Sequence, residues 1–324
     1  MNHHTTINQS FRDFLNIKNK VWLLPAYEDW ICDRLVIEFN AHNSDIIVAH
    51  PLQADVIWLF SDWNWKRVPY ELLRSKKVIT TVHHIVPDKF DNAAQEDFKR
   101  RDEITDIYHV FNERTKDYVK YLTTKTVALR PYWANQDAFP KSDLDKTALR
   151  AKYNLPQDKF LIGSFQRDTE GSDLKSPKLE KGPDLLADAI ELKSTTRKNA
   201  WNDNRDIHIV LAGWRRQYII SRLEAMNVPY TYIERPEHSV INDLYQVIDL
   251  YAVSARQEGG PQSLIECGLT NTPVVSTPVG IAEQVLSNDS INENIIDALP
   301  SVPSVEHMRI PNGFREYREL IRQL

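Results

Sequence analysis

Two carboxylates bracket a glycine pair and a proline in the stretch EGGPQSLIE, which runs from Glu258 to Glu266. Proline suits the first position of a helix, because an N–H at that position would have no partner within the helix. The pattern therefore predicts a helix that begins at Pro261 and is capped by Gly260. Gly259, which has no side chain, leaves the backbone open to the close approach of a ligand.

The first backbone amides of this helix are the second chemical feature of the stretch. The amides of Gln262, Ser263 and Leu264 have no carbonyl group one turn earlier to donate to. Such amides carry partial positive charge and suit a phosphate group. The apolar run LYAVSA (250–255) precedes them and predicts a strand. The amides are therefore expected at the carboxyl edge of a sheet, where open α/β sheets bind ligands.

The two acids suit other parts of the same ligand. An ionised carboxylate only accepts hydrogen bonds, so it cannot hold a phosphate but can accept from sugar hydroxyls. A nucleoside diphosphate sugar has a ribose, two phosphates and a hexose in a row, and it would meet an acid at each end with amides between. Acids also occur near helix N-termini because they favour the helix dipole, and the motif alone leaves that explanation open.

Short apolar runs alternate along the chain with segments in which apolar residues have helical spacing. These strands and helices would position the candidate groups. Their nearly continuous apolar character indicates burial on both faces, hence parallel sheets covered by helices. We predict an α/β fold with two doubly wound, Rossmann-like domains. The predicted strands are 21–25, 45–50, 56–60, 77–84, 107–112, 126–131, 160–165, 207–214, 230–234, 250–255 and 273–278. The predicted helices are 30–42, 95–104, 114–122, 182–192, 240–248, 261–269 and 313–324.

The domain boundary is predicted in the segment RPYWANQDAFPKSDLD (130–145), which is polar, contains prolines and has no periodicity. We assign residues 1–135 to the first domain and 136–310 to the second. The last helix, in 311–324, is expected to cross back and pack on the first domain. One polar stretch, RDTEGSDLKSPKLEKGPD (167–184), predicts a loop after the first strand of the second domain.

Composition narrows the classes of protein. The 324 residues are 42% hydrophobic, enough for more than one core, and the net charge of −5 does not indicate a nucleic-acid partner. The two cysteines, Cys32 and Cys267, lie far apart and form neither a disulfide framework nor part of a metal-ligand set, so no metal is predicted. The polar N-terminus has no apolar signal region, and the apolar runs are too short to span a bilayer, which favours a cytoplasmic protein.

A longer segment around the opening motif resembles glycosyltransferase family 4, a family of the GT-B fold. The segment is LYAVSARQEGGPQSLIECGLTNTPVVSTPVGIAEQVL (250–286), in which Glu258 and Glu266 match the E-x7-E motif of that family. The resemblance extends upstream through FLIGSFQRD and EKGPDLLADAI to Phe160, whereas the first half matches only in its strand pattern. It implies two Rossmann-like domains facing across a cleft, the acceptor on the first and the nucleotide sugar on the second.

The resemblance also implies a role for each motif residue. Glu258 would accept from hydroxyls of the donor hexose and Glu266 from those of the ribose. The amides of Gly259, Gly260 and of Gln262, Ser263 and Leu264 would face the hexose and the phosphates. Arg167 and Lys181 would grip the diphosphate and stabilise the charge on the departing oxygen. The loop between these two residues is longer than is usual in the family, which leaves an exposed surface arginine as the alternative for Arg167.

Two features of the first half bear on the acceptor side. The family often has a histidine near the donor sugar where this chain has TVHHIVP (81–87), which implies His83, with His84 as the alternative. A structural histidine stays open for both. The loop PAYEDWICDR (25–34) lacks the glycine-rich character common in the family. Asp29 there is predicted to cap the next helix, and Trp30 to pack as a staple or to serve as a platform for a sugar ring.

The function implied by the resemblance is the transfer of a hexose from a UDP- or GDP-linked sugar to a glycan or glycolipid acceptor. It implies retention of configuration and needs no metal or other cofactor. Polysaccharide or glycolipid assembly on the cytoplasmic side of a membrane would fit, and the basic runs FKRRDE and RSKK allow weak peripheral contact with an anionic membrane.

Three other functions remain open on the sequence. A sugar-nucleotide epimerase or phosphorylase would share the fold, as would a non-catalytic carbohydrate-binding subunit. A nicotinamide oxidoreductase is disfavoured, because no G-x-G-x-x-G follows the first strand. No residue decides between uracil and guanine, or identifies the donor sugar, the acceptor, the linkage or the oligomeric state.

Overall fold

The computed structural model describes residues 19–28 and 31–324. The chain divides into two compact units, residues 1–131 with 311–324, and residues 132–310. The first unit therefore ends at Pro131, within the segment predicted to join the two domains and before the predicted boundary after residue 135. Asp29 and Trp30, for which a cap and a staple or platform were predicted, lie outside the described residues.

The first unit contains a parallel sheet of five strands in the order β1-β2-β3-β4-β5. Every residue of β2 and of β4 is buried, as the continuous apolar runs predict for strands covered on both faces. The strands are β1 (Val21–Leu23), β2 (Val56–Leu59), β3 (Lys77–Thr81), β4 (Ile107–Val110) and β5 (Thr126–Leu129).

The predicted strand at 45–50 is wrong as a regular strand. Only Ile47 forms a bridge, to Val21, supported by hydrogen bonds between backbone groups of 2.8 Å from Val21 N to Ile46 O and 3.0 Å from Val48 N to Val21 O. The segment turns away at once toward Pro51, whose nitrogen cannot donate to a strand. Val21 also pairs with Val56 of β2, so this segment lies on the other side of β1. The strand order thus reverses at β1, as doubly wound sheets require.

Two helices of the first unit begin at polar caps. The side chain of Asp91 accepts from the amide of Ala94, and that of Asn112 from the amide of Thr115. The helices are α1 (Ile31–His42), α2 (Tyr70–Arg74), α3 (Asn92–Asp102) and α4 (Glu113–Leu122). The short α2 was not predicted, because a helix of one turn shows no periodicity.

The second unit contains a parallel sheet of five strands in the order β10-β9-β6-β7-β8. The order reverses between β6 and β9, so the carboxyl ends of these two strands flank the crevice in which such sheets bind ligands. The strands are β6 (Phe160–Ser164), β7 (Ile207–Ala212), β8 (Tyr230–Ile233), β9 (Leu250–Val253) and β10 (Val274–Ser276). All five were predicted, each somewhat too long.

The helices of the second unit cover this sheet. Leu186, Ile190 and Leu223 from two of them pack with Ile162 and Ile209 of the strands, and all five are almost fully buried. The helices are α5 (Lys146–Lys152), α6 (Pro183–Thr195), α7 (Gln217–Ala225), α8 (His238–Val247), α9 (Gln262–Thr270) and α10 (Ala282–Val285). The helices α5, α7 and α10 were not predicted; α5 follows the polar joining segment, and α7 begins without a capping side chain.

The last helix, α11 (Arg315–Arg322), belongs to the first unit, as predicted. Phe314 lies 5.3 Å from Phe39 of α1, measured between ring centroids. The hydroxyl of Tyr317 donates to the carbonyl of Pro131 at 2.6 Å, and Arg318 pairs with Asp45 at 2.7 Å. Among the helices of the described residues, none combines the length and the apolar character needed to cross a bilayer.

Candidate functional site

The crevice between the ends of β6 and β9 brings two predicted residues together. Lys181, in the loop after β6, forms an ion pair through Nζ with Oε1 of Glu258, in the loop after β9. Their side chains are 24% and 15% exposed, so the pair is reachable from solvent. The carbonyl of Lys181 accepts from Nε2 of Gln166 at 2.8 Å and from Oγ of Ser254 at 3.3 Å, which fixes the loop against both strand ends.

Gly182 permits this closeness of the two loops. Its backbone is left-handed, with φ 58° and ψ 42°. A Cβ atom there would lie 1.7 Å from the carbonyl oxygen of Ser254, a contact that no side chain can make. Glycine is therefore required both by the backbone conformation and by the approach of the Lys181 loop to the end of β9.

The start of α9 differs from the prediction in two details. The helix begins at Gln262, and Pro261 is its cap residue rather than its first residue. The expectation that Leu264 has a partnerless amide is wrong, because this amide donates to the carbonyl of Pro261 at 3.0 Å, and the residue is fully buried. The amides of Gln262 and Ser263 have no such partner within the described chain.

The two glycines before α9 are held by packing. A Cβ atom on Gly260 would lie 2.3 Å from a ring carbon of Tyr132, so glycine is needed there for contact with the aromatic ring. Gly259 is buried. Nε2 of the Gln262 side chain is also buried and has no hydrogen-bond partner, so this helix start offers side-chain as well as backbone donors.

Glu266 lies in α9 and is 9% exposed. Its Oε2 accepts from the hydroxyl of Tyr245 in α8 at 2.8 Å. Burial, together with the charge of Glu266, raises the pKa of Tyr245 well above its usual value, so the hydroxyl keeps its proton and donates. Tyr245 was missed because no spacing in the sequence indicates that α8 packs on α9 at this point.

Arg167 follows β6 and is half-buried rather than an exposed surface arginine. Its Nε donates to the carbonyl of Thr169 at 2.8 Å, and its guanidinium carbon lies 5.2 Å from the ring centroid of Trp214, which follows β7. The side chain therefore points toward the end of β7, whereas Lys181 pairs at the end of β9.

A buried ion pair that the sequence did not indicate anchors this region. Arg216 is fully buried, Asp168 is 1% exposed, and Nε of the arginine lies 2.8 Å from Oδ2 of the aspartate. The same guanidinium donates to the carbonyl of Ala212 at 3.0 Å and to Oγ of Ser164 at 3.0 Å. It thus ties the ends of β6 and β7 to the loop that carries Arg167.

His83 lies just beyond β3, at the carboxyl edge of the first sheet. Its Nε2 lies 2.9 Å from the carbonyl oxygen of Phe60, so this nitrogen carries the proton and donates. The ring packs against Phe60, Trp63 and Phe111, with centroids 5.4, 5.7 and 5.2 Å away. Burial lowers the pKa of His83, so the ring is neutral near pH 7. His84 is exposed.

The same edge carries an aromatic surface that sequence reasoning did not identify. Trp63 is 46% exposed, and its indole N–H donates to Oε1 of Glu28 at 3.2 Å. In the loop after β1, the amides of Ala26, Tyr27 and Glu28 all donate to the carboxylate of Asp33, at 2.7, 3.0 and 2.8 Å. A set of amides that would suit an anion is thus filled by the chain's own carboxylate.

No group of three or more His, Cys, Asp or Glu side chains that could hold a metal ion is found within residues 19–28 and 31–324. The observed donors of the second unit are a lysine, arginines, backbone amides and an amide side chain. The candidate acceptors are two carboxylates, Glu258 and Glu266. This set can donate to phosphate groups and accept from hydroxyls of one ligand.

Comparison with known families finds that part of the second unit is similar to a family of glycosyltransferases. Residues 174–299, less than half of the chain, match the family described as Glycosyl transferases group 1. They contain Lys181, Glu258, Glu266 and the start of α9. No curated protein matches the sequence.

Solved structures share the fold at low sequence identity. HepE from Anabaena in complex with UDP is 11% identical, with a TM-score of 0.62 over 86% of this chain and 88% of that one. A UDP-forming trehalose-phosphate synthase from Burkholderia xenovorans is 14% identical, with a TM-score of 0.58 over 98% and 80%. Sucrose-phosphate synthase from Thermosynechococcus elongatus is 17% identical, with a TM-score of 0.55 over 80% and 65%. The two Rossmann-like units are those of the GT-B fold.

Proposed function

We propose that the protein transfers a hexose from a nucleoside diphosphate sugar, UDP- or GDP-linked, to a glycan or glycolipid acceptor. We further propose that it does so with retention of configuration and without a metal ion. The observation that carries the proposal is the pairing of Lys181 with Glu258 beside the open amides of α9, at the point where the strand order reverses. The matched family segment and the UDP complex of HepE support the same class of donor.

The ion pair suits two neighbouring parts of the donor, a phosphate group and the hexose. An ammonium group has three donors, so Lys181 can keep one on Glu258 and direct others to a phosphate oxygen. Glu258 in turn keeps an acceptor for a hexose hydroxyl. The amides of Gln262 and Ser263 would face the phosphates, and Glu266, oriented by Tyr245, would accept from the ribose.

The chemical step breaks the bond between the anomeric carbon and a phosphate oxygen, and negative charge builds on that oxygen. A fixed lysine and helix-start amides directed at this charge lower the barrier, and loss of one such donor typically costs about 3 kcal/mol. The acceptor hydroxyl attacks from the face that the phosphate leaves, and the departing phosphate takes its proton. Arg167 would act on the diphosphate from the side of Trp214.

Observations on the first unit support a neutral glycan as acceptor. The amides of the β1–α1 loop already hold Asp33, so this loop does not offer them to a phosphorylated acceptor. The exposed indole of Trp63 can stack on a sugar ring while Glu28 accepts a hydroxyl. His83 donates to Phe60 through Nε2, so its second nitrogen can only accept, and its proposed role is contact with a sugar hydroxyl.

A two-stage experiment tests the proposal. Thermal-shift measurements with UDP, GDP and their sugars identify the donor, and product analysis with and without oligosaccharides then identifies the reaction. Transfer products that appear only with an acceptor support the proposal. An altered free nucleotide sugar without any acceptor would indicate an epimerase, and donor binding without turnover would indicate a carbohydrate-binding subunit.

A further inference from the structure

The loops after β6, β7 and β8 place three arginines around one indole ring. The guanidinium carbons of Arg215, Arg235 and Arg167 lie 4.7, 5.0 and 5.2 Å from the ring centroid of Trp214. The indole is 36% exposed. These four residues are called the Trp214 cluster below. The cluster lies at the carboxyl edge of the second sheet, the edge at which open α/β sheets bind ligands.

The second feature of this cluster is its positive charge. Within the part of the chain that the structure describes, none of the three arginines forms an ion pair. Asp168, the acid next to Arg167, is committed to the buried Arg216 at 2.8 Å. Nε of Arg215 is buried and has no hydrogen-bond partner. A buried donor without an acceptor is costly, so a ligand that supplies one is favoured.

The geometry selects the kind of ligand. All three guanidinium groups contact one ring, so they lie within roughly 10 Å of one another, about one Debye length at 0.1 M salt, and repel. Attraction to the indole face offsets part of this repulsion but leaves the net charge in place. Guanidinium groups match the oxygens of a phosphate with paired hydrogen bonds, and a phosphoryl group brings several acceptors and up to two negative charges.

We propose that the Trp214 cluster is a binding site for a phosphoryl group. Two sources of the same chemistry exist: the diphosphate of a nucleotide donor and a phosphate monoester on a sugar. For the first source the inference rests on the proposed function, in which Arg167 alone among these four residues has a role, and for the second it goes beyond that function. The cluster binds either through Arg215 and Arg235, whose guanidinium groups contact the ring of Trp214.

Inorganic pyrophosphate is the first probe, because it carries no nucleoside and no sugar. Isothermal titration compares the wild-type protein with the double variant Arg215→Gln/Arg235→Gln and with Arg222→Gln. Arg222 lies in α7 and is paired with Asp188 at 2.8 Å, so it is a matched arginine outside the cluster. If the site takes the donor diphosphate, the double variant raises Kd at least about 10-fold, which corresponds to about 1.4 kcal/mol. Arg222→Gln stays within about two-fold of the wild type.

Glucose 6-phosphate is the second probe, with glucose as its neutral counterpart. Both are titrated into protein that has been saturated with pyrophosphate. If the cluster takes a phosphate monoester, the wild type and Arg222→Gln bind glucose 6-phosphate but not glucose, and the double variant loses this binding by at least about 10-fold. Circular dichroism and the melting temperature confirm that every variant is folded at the temperature of the titration.

The structural alternative is that the arginines only cover the indole ring. It predicts a lower melting temperature for the double variant, with affinities for both probes within about two-fold of the wild type. That result, or a wild-type protein that binds neither probe, overturns the proposal. Neither probe can be a glycosyl donor, so the outcome is independent of hexose transfer, which is judged only from products made with nucleoside diphosphate sugars.

Discussion

The Lys181–Glu258 ion pair is the residue-level feature on which the proposed donor site depends. Each partner holds the other in place and lowers the cost of keeping a charge in a partly buried crevice. A ligand that inserts a phosphate beside the ammonium and a hydroxyl beside the carboxylate keeps both charges matched. The two side chains therefore act as a unit, although they are far apart in sequence.

Replacement of either partner tests this unit. We expect Lys181→Ala and Glu258→Ala each to lower kcat/KM. The decrease should correspond to a loss of at least about 2–3 kcal/mol of transition-state stabilisation. The double variant should lose less than the sum, because removal of one partner already disturbs the other. Steady-state kinetics with the donor found in the thermal-shift screen measures all three. Lys159→Ala is the control, since this lysine pairs with Asp206 before β7 at 3.0 Å, and near-wild-type rates for Lys181→Ala would refute the assignment.

The sequence indicated the acids and the lysine as candidates for this site but not their supports. Glu258 and Glu266 flank a predicted helix start, and Lys181 precedes a glycine in a predicted loop, so each lies in a local pattern. Tyr245 and the Asp168–Arg216 pair act through contacts between distant segments, and neither has a local pattern. For Leu264 the sequence predicted too much. The rule that the first amides of a helix lack partners does not say which of them a tight first turn will pair, and this amide donates to the carbonyl of Pro261.

At the scale of elements, the loops at the carboxyl edges of the two sheets carry the candidate chemistry. In the second unit, Gly182 brings the Lys181 loop onto the end of β9 at a backbone distance that no other residue allows. In the first unit, the loop after β1 folds around Asp33 instead of presenting open amides. The two edges thus differ in the backbone donors that they leave open.

Gly182→Ala tests the contact between loop and strand. A left-handed conformation costs an alanine about 1–2 kcal/mol, and the clash with Ser254 adds about 1–3 kcal/mol of overpacking. We expect a loss of at least about 3 kcal/mol in the free energy of unfolding, measured by urea denaturation. Gly171→Ala is the matched control, because Gly171 also has positive φ, 72°, but a Cβ there approaches nothing closer than 3.4 Å. Equal losses in the two variants would show that the contact contributes nothing.

Trp63→Ala tests the aromatic surface of the first unit. If the acceptor sugar stacks on the indole, the variant raises KM for the acceptor about ten-fold or more and leaves KM for the donor unchanged, since stacking of this kind contributes about 1.5 kcal/mol. Tyr121→Ala is the control, because Tyr121 is an aromatic residue on α4 that is 89% exposed. A change in donor KM, or equal effects in both variants, would contradict stacking of the acceptor on Trp63.

At the scale of the whole molecule, the sequence predicted the doubly wound class of both units and the return of the last helix. The hydrophobic pattern was sufficient to predict the central strands, because strands buried on both faces, such as β2 and β9, are apolar throughout. It failed for the segment 45–50, which has strand composition but a single bridge, and for one-turn helices such as α2 and α10. Edge position and helix length depend on packing partners that a local pattern does not contain.

The first unit also has a buried polar centre that should make its stability depend on pH. His109 of β4 is fully buried, with Nδ1 2.9 Å from Oγ1 of Thr81 and Nε2 3.2 Å from the carbonyl of Arg130. The hydroxyl of Thr81 also accepts from the indole N–H of Trp58 at 2.8 Å. Burial lowers the pKa of His109 from 6.5 to about 3, so the folded protein keeps this ring neutral where the unfolded chain takes up a proton.

The sign of the effect follows from that difference. A depressed pKa gives stability that is fully present above pH 6.5 and is lost as the pH falls toward about 3. Between pH 7 and pH 5 we expect His109 to account for a loss of about 2 kcal/mol in the free energy of unfolding. Urea denaturation at several pH values measures the slope, and His109→Gln should flatten it by about one proton whatever its effect at pH 7. His307→Gln, at an exposed position, is the control for the substitution itself. A wild-type slope in His109→Gln would show that the buried ring does not govern acid stability.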